Sequence, residues 1–165
     1  MLTDHARLLR FFMEAKKVTG RKKMQKMIYI LQVNGVPFEE KYQFHFYGPY
    51  SEELSLRIEE LCNLGFIYEE EENKGNYTQF TYELTEDGNH FLHQFHLDMP
   101  DFHDQVSLLQ KQSSRFLELV ATMLFFRDLP HIEIEKKVRD VKPKQNYTDE
   151  EMKKAWNFIK EIGHH

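Results

Sequence analysis

Apolar residues recur at helical spacing near the start of the chain and predict two successive helices. Thr3 or Asp4 can cap the first helix. Its apolar residues are Leu8, Leu9, Phe12 and Ala15, and Thr19-Gly20 is expected to end it. The second helix is predicted over residues 21–34, with an apolar side made of Met24, Met27, Ile28 and Leu31.

The spacing of apolar residues changes from helical to alternating over residues 42–46, which predicts a half-buried strand. Alternation places Tyr42, Phe44 and Phe46 on one side of that strand, where we expect core contacts. Gly48-Pro49 is expected to turn the chain, because proline fixes its own φ and glycine tolerates positive values. Ser51 then caps a third helix that buries Leu54, Ile58 and Leu61.

A β-hairpin is predicted next, over residues 66–84, with its turn at residues 73–76. Thr85 is expected to start another helix. From Pro100 onward the pattern is helical throughout, with one helix near residues 113–127 and a shorter one around Ile134. Thr148 begins a final helix, because Glu151 lies three residues later and completes a capping box.

The order helix, helix, strand, helix, two-stranded wing, helix indicates a winged-helix-like domain. We therefore predict an α+β, mostly helical fold, with the winged-helix-like domain over residues 1–99 and a helical extension over residues 100–165. Residues 82–88, YELTEDG, resemble the Y-x-L-T-x-x-G junction of many winged-helix regulators. The extension is expected to pack on the first domain or on a second copy of the chain.

Two segments carry a family resemblance: RKKMQKMIYILQ (residues 21–32) and FHFYGPYSEEL (residues 44–54). They are similar to the L-Q-K-L-L-Y-x-x-Q and G-P-V motifs of the Panacea, or SocA-like, antitoxin domain. Tyr50 departs from that pattern, which has valine after Gly-Pro. The whole chain, including residues 138–151, more closely resembles the YwgA-like family of Bacillus-type proteins. The antitoxin resemblance implies a non-enzymatic domain that binds a partner protein.

Charge is unevenly distributed and argues against nucleic acid as the partner. The net charge is −5, but residues 1–41 carry nine Lys/Arg against four Asp/Glu, and residues 42–95 carry two against eleven. The third helix, where a winged-helix protein reads DNA, offers Glu52, Glu53, Arg57, Glu59 and Glu60. Affinity for phosphate comes from Lys and Arg, so this surface lacks the attraction that DNA binding needs.

A partner-binding surface is predicted around the Gly-Pro segment and the basic start of the second helix. Lys22 and Lys26 lie opposite the apolar side of that helix, so we expect both to be exposed, either as a solvated helix start or as a contact for an acidic partner. Tyr47 and Tyr50 are expected either to anchor an interface or to pack on the first helix. The predicted partner-binding residues are Lys22, Lys26, Tyr47, Gly48, Pro49, Tyr50, Glu53 and Arg57.

The leading prediction is a non-enzymatic, cytoplasmic interaction protein of antitoxin or regulator type, with a partner protein that the sequence does not name. A DNA-binding winged-helix regulator, contacting DNA as a dimer through the basic residues near Lys22, is the alternative. A possible homodimer fits both readings. No cofactor is expected, and no run of residues is apolar enough to predict a membrane span.

Candidate chemistry is sparse. His90, His93, His96 and His103 raise the idea of a metal or enzyme site, but their spacing matches no standard zinc pattern, so no metal ligand is predicted. Cys62 lies between apolar helix residues and is expected to be a small buried hydrophobe. A single cysteine and a start without a secretion signal are consistent with the cytoplasm.

Overall fold

The computed structural model describes residues 2–164. Its α-helices are α1 (Leu2–Ala15), α2 (Arg21–Val33), α3 (Glu52–Asn63), α4 (Glu86–His93), α5 (His103–Gln110), α6 (Ser114–Phe125), α7 (His131–Val141) and α8 (Asp149–Gly163). Its strands are β1 (Lys17–Thr19), β2 (Gln43–His45), β3 (Gly48–Tyr50), β4 (Ile67–Asn73) and β5 (Thr78–Leu84). The chain is mostly helical with small antiparallel sheets, which confirms the predicted mixture of α and β structure.

Strand β1 is an element that the apolar pattern does not predict, because three residues are too few to show alternation. Its central residue, Val18, is buried between exposed Lys17 and Thr19. Lys16 has a φ of 66° and turns the chain out of α1, so the helix ends before the predicted stop at residues 19–20. Strand β1 then pairs with β5, which gives the sheet the order β1-β5-β4.

Strands β4 and β5 form the predicted hairpin, with Ile67 opposite Leu84 and Asn73 opposite Thr78. The turn lies at the predicted residues, where Gly75 donates its backbone N–H to Asn73 Oδ1 at 2.9 Å. Beyond Ile67, every residue of β4 is exposed, including the four consecutive glutamates of residues 69–72. The hairpin is therefore a strongly acidic projection.

Helix α4 packs tightly against the start of this hairpin. Thr85 caps the helix as predicted, with its hydroxyl accepting from the backbone N–H of Gly88 at 3.0 Å. Gly88 also lies against the backbone of Phe66, the residue before β4. A Cβ built there would lie 2.1 Å from the carbonyl oxygen of Phe66, so only glycine fits without a backbone shift.

Helix α2 lies in the middle of the hydrophobic core. All residues from 24 to 31 are buried, including Gln25 and Lys26. Helices α5 and α6 and strand β3 pack against it. The prediction of one exposed side was therefore wrong for most of this helix, because α6 covers the side opposite the predicted apolar one.

The C-terminal helices share this core with the rest of the chain. Residues 117–124 of α6 are all buried, and α8 packs against α6. The predicted capping box is confirmed, since Thr148 Oγ1 accepts from Glu151 N and Glu151 Oε1 accepts from Thr148 N, both at 3.0 Å. Helix α5 was not singled out from the sequence, although Val106 and Leu109 are buried. Within residues 2–164, no helix is both long and apolar enough to cross a bilayer.

Candidate partner-binding site

The hairpin formed by β2 and β3 displays two aromatic side chains at its tip. His45 pairs with Gly48, so Phe46 and Tyr47 form the connecting loop. Phe46 is 85% exposed and Tyr47 is 47% exposed, and their ring centroids lie 5.5 Å apart in an edge-to-face arrangement. The expectation that Phe46 faces the core was wrong, because β2 ends at His45 and strand alternation ends with it.

Gly48 and Pro49 were expected to form the turn, but they belong to strand β3 and are buried. Gly48 has a φ of 87°, so it turns the chain out of the loop in a conformation that favours glycine. A Cβ at this position would lie 3.3 Å from Thr122 Oγ1 and 3.6 Å from Lys26 Cε. The close approach holds the hairpin against both α2 and α6.

Two further contacts fix the hairpin. Lys142 Nζ donates to the backbone carbonyl oxygen of Phe46, which ties the tip to the segment after α7. Tyr50, at the other end of β3, shares a hydrogen bond of 2.8 Å with Ser55 Oγ and packs beside the ring of His45. The exposed aromatic tip thus stands on a base that several elements hold in place.

A cleft of about 640 Å³ opens beside the hairpin, between α2, α3 and the three-stranded sheet. Its walls combine apolar side chains and aromatic rings with charged groups. The lining residues are Arg21, Lys22, Met24, Gln25, Lys26, Tyr47, Tyr50, Ser55, Ile58, Glu59, Cys62, Asn63, Glu69 and Tyr82. Four of the predicted partner-binding residues, Lys22, Lys26, Tyr47 and Tyr50, therefore line one cavity.

The two predicted lysines differ sharply in environment. Lys22 is exposed, as predicted, and its Nζ lies 3.4 Å from the centroid of the Tyr47 ring. Lys26 is only 2% exposed, so the prediction of a solvent-exposed side chain was wrong. Helix α6 covers the side of α2 that carries Lys26, which the local sequence does not reveal.

Lys26 Nζ is buried without a hydrogen-bond partner among residues 2–164. Burial lowers the pKa of Lys26 from 10.5 to about 8, with Lys142 and Lys22 adding to that effect and Glu118 opposing it. The nearby carboxylate of Glu118 is engaged elsewhere. It lies 3.8 Å from Lys142 Nζ and accepts hydrogen bonds from Gln145 and Tyr147.

The cleft lining also contains a charge pair with its own hydrogen bonds. Arg21 donates to Tyr82 Oη at 2.9 Å and to Glu69 at 3.3 Å, and the Tyr82 hydroxyl donates to the same carboxylate at 2.6 Å. Burial and the hydrogen bond to Glu69 raise the pKa of Tyr82 well above its usual value. Arg21 is therefore neutralised locally, unlike Lys26.

Cys62 lies in the cleft wall and is partly exposed rather than fully buried as expected. Burial of the thiol, with a contribution from Glu69, raises the pKa of Cys62 to about 11. A thiol with that pKa is protonated at neutral pH and is a poor nucleophile. The side chain contributes packing surface to the cleft.

Of the four predicted partner-binding residues that do not line the cleft, Gly48 and Pro49 lie in β3, and Glu53 and Arg57 belong to α3. Glu53 Oε1 accepts from the backbone N–H of Lys41 at 2.8 Å. Arg57 forms an ion pair with the buried carboxylate of Glu40 and a second one with Asp4 at 3.3 Å. Both side chains connect α3 to residues 1–41, so their visible contacts are internal to the chain.

The four histidines considered for metal binding are spread over exposed positions. His93 Nδ1 lies 2.7 Å from the carbonyl oxygen of Asn89, and His103 Nδ1 lies 3.0 Å from Glu14 Oε2. In the part of the chain that the structure covers, no group of three or more His, Cys, Asp or Glu side chains is placed to hold a metal ion.

Comparison with known proteins identifies a relative over nearly the full length. No protein-family model matches the chain. Over 162 residues it is 52% identical to "Uncharacterized protein YwgA" of Bacillus subtilis (strain 168), with 98% of each chain covered. The chain belongs to the YwgA family.

Reasoning from the sequence of this YwgA-family chain missed the residues that surround Lys26. Glu118 and Lys142, which are 9% and 8% exposed, come from α6 and from the segment after α7. They lie more than 90 residues from Lys26 in sequence, and nothing in the local pattern links them. The sequence did offer one signal for such residues, namely a charged residue within an apolar segment. Glu118 lies within the apolar segment of residues 116–124.

Proposed function

We propose that this YwgA-family protein is a non-enzymatic, cytoplasmic interaction module of antitoxin or regulator type that binds a partner protein through the β2–β3 hairpin and the adjacent cleft. The observation that carries the proposal is Phe46, a phenylalanine that is 85% exposed on a hairpin held by its neighbours. Large aromatic side chains presented rigidly are typical anchors of protein interfaces, because they bury much apolar area with little loss of conformational entropy.

The surroundings of the aromatic tip also favour its role as a binding surface. Tyr47 is half exposed beside Phe46, and Lys22 lies over its ring. The cleft begins at the same tyrosine and provides concave, partly apolar space next to the projecting ring. A partner can therefore contact a projecting aromatic ring and a concave pocket in one interface, which a flat surface does not allow.

The proposed fold for this function is a winged-helix-like domain over residues 1–99, with α3 and the β4–β5 hairpin in the positions of recognition helix and wing. The motifs in residues 21–54 that resemble those of the Panacea antitoxin domain favour a protein partner. The charges argue against duplex DNA, because the exposed residues of β4 include four consecutive glutamates. Arg57 on α3 is paired with Glu40 and Asp4, so it does not offset them.

The test places the photoreactive amino acid p-benzoylphenylalanine at position 46 of the full chain. After irradiation in native lysate, we expect one crosslinked protein, identified by mass spectrometry. The matched control carries the same residue at Tyr77, an exposed aromatic of the wing that is 59% exposed. Binding of the purified partner should then weaken at least ~10-fold in Phe46→Ser, as expected for an interface anchor.

Crosslinks that are equally abundant from positions 46 and 77, or unchanged affinity in Phe46→Ser, would count against the proposal. Retention on arbitrary duplex DNA at low salt, lost steeply as salt rises, would instead favour the DNA-binding regulator. The DNA measurement uses the purified wild-type chain and is independent of the crosslinking, so the two results separate the two functions.

A further inference from the structure

We propose that the cleft beside the β2–β3 hairpin receives an acidic side chain of the partner protein, and that Lys26 is the residue that binds its carboxylate. This inference rests on the proposed function, since it specifies the chemistry of the partner at the same surface. It concerns a different residue from the aromatic tip, so the two can be tested separately.

The first argument is the unpaired ammonium group. Lys26 lines the cleft, yet its Nζ is buried and has no hydrogen-bond partner within residues 2–164. A buried cation without a partner is costly, because it has lost water without gaining a compensating contact. A buried ammonium group without a partner is rare in a protein core. It is expected at a site where a bound ligand supplies the missing negative charge.

The second argument is that the neighbouring anion is already satisfied. Glu118 is held by Lys142, Gln145 and Tyr147, and the distance from Lys142 Nζ to its carboxylate is 3.8 Å. Two buried lysines, Lys26 and Lys142, lie near the carboxylate of Glu118. The cluster therefore carries one more positive than negative charge, and a single added carboxylate balances it.

The third argument concerns the size and sign of the ligand. The cleft is lined by three cationic side chains, Arg21, Lys22 and Lys26, and by two carboxylates, Glu59 and Glu69. Arg21 is bound to Glu69, so the free positive charge is concentrated at Lys22 and Lys26. A polyanion such as a nucleic acid would meet Glu59 and Glu69 as well, whereas one carboxylate near Lys26 meets Lys22 and Lys26, and the nearby Glu118 is already paired with Lys142.

The apolar residues of the cleft indicate which other side chains of the partner segment bind beside its carboxylate. Met24, Ile58 and the ring of Tyr50 lie in the same cavity. The cleft volume of about 640 Å³ exceeds what one carboxylate fills, so neighbouring apolar side chains of the same segment can enter with it. The expected partner segment therefore has an Asp or Glu next to one or more apolar residues.

The experiment selects binders from a random 12-residue peptide library displayed on phage, with the full chain as bait. We expect wild-type protein to enrich peptides that contain Asp or Glu beside apolar residues. A synthetic enriched peptide is then titrated into protein carrying ¹³C-labelled methionine and isoleucine methyl groups. Shifts of the Met24 and Ile58 signals should place the peptide in the cleft.

Lys26→Met should weaken that peptide at least ~10-fold, because removing one member of a desolvated charge pair mainly speeds dissociation. Replacing the peptide's Glu by Gln should cost a similar factor in wild type and much less in the Lys26→Met variant. Lys154→Met, which removes an exposed lysine of α8, is the matched control and should bind as wild type does. The peptide change keeps the test decisive even if the protein variant folds poorly.

Enriched peptides without acidic residues, or equal binding by the Lys26→Met variant, would overturn the inference. Shifts of the Met24 and Ile58 signals by inorganic phosphate or acetate at least as strong as those by the peptide would also overturn it, in favour of a small free anion. If Phe46→Ser abolishes partner binding while Lys26→Met does not, the proposed function survives and this inference alone is wrong.

Discussion

Replacing Lys26 with methionine should make the protein more stable at neutral pH. Lys26 is 2% exposed and its ammonium group has no hydrogen-bond partner within residues 2–164, so folding strips water from a charge without replacing it. Methionine preserves most of the length of the apolar stem and removes the charge. The side chain would thus pack in nearly the same volume.

The size of the effect follows from the pKa of Lys26, which burial lowers from 10.5 to about 8. Each pKa unit corresponds to about 1.4 kcal/mol, so the charged group costs the folded state about 3 kcal/mol at pH 7. Between the folded and unfolded pKa values the unfolded chain binds more protons, and stability therefore rises with pH from about 8 to 10.5. By pH 9.5 the cost falls to about 1.5 kcal/mol.

The assay is urea unfolding of wild type, Lys26→Met and Lys154→Met, followed by circular dichroism at pH 7 and pH 9.5. We expect Lys26→Met to exceed wild type by about 1–3 kcal/mol at pH 7, with the difference shrinking at pH 9.5. Lys154→Met should stay within about 0.5 kcal/mol of wild type at both pH values, because its side chain is exposed.

A Lys26→Met variant that is less stable than wild type at pH 7, with a pH-independent difference, would refute the reasoning. It would mean that the ammonium group is well compensated inside the folded chain. The unpaired charge could then no longer be taken as a sign of a ligand site.

Three further substitutions test the fold. Gly88→Ala should destabilise the chain by about 1–3 kcal/mol or more, measured by thermal unfolding, because the new Cβ would lie 2.1 Å from the Phe66 carbonyl oxygen. Arg57→Met should cost about 3–5 kcal/mol at pH 7.5 by leaving Glu40 buried and unpaired. Burial already raises the pKa of Glu40, so protonation of its carboxylate at pH 5 should recover part of that loss. Adding Glu40→Gln to Arg57→Met should recover stability at pH 7.5. No recovery in either case would contradict the role of Arg57 as the partner of a buried Glu40 charge. Thr148→Ala should cost about 1 kcal/mol in urea unfolding through loss of the capping box, and an unchanged midpoint would show that α8 does not need this cap.

Local signals in the sequence were sufficient for most helix starts and for the acidic hairpin. The Ser51, Thr85 and Thr148 caps and the turn near Gly75 all lie where side-chain chemistry predicted them. These features depend on residues three or four positions apart, which the sequence displays directly. The charge distribution along the chain, and with it the acidic character of β4, is likewise independent of tertiary packing.

Only the tertiary structure decided which positions of α2 and of the Gly48-Pro49 segment are buried. A helical pattern identifies one apolar side but cannot reveal that α6, about 90 residues later, covers the other, so Lys26 was wrongly expected in solvent. Strand alternation likewise holds only until His45, which left Phe46 exposed and placed Gly48 and Pro49 in β3. Burial depends on what packs against a residue, and those neighbours come from parts of the chain that no local pattern connects.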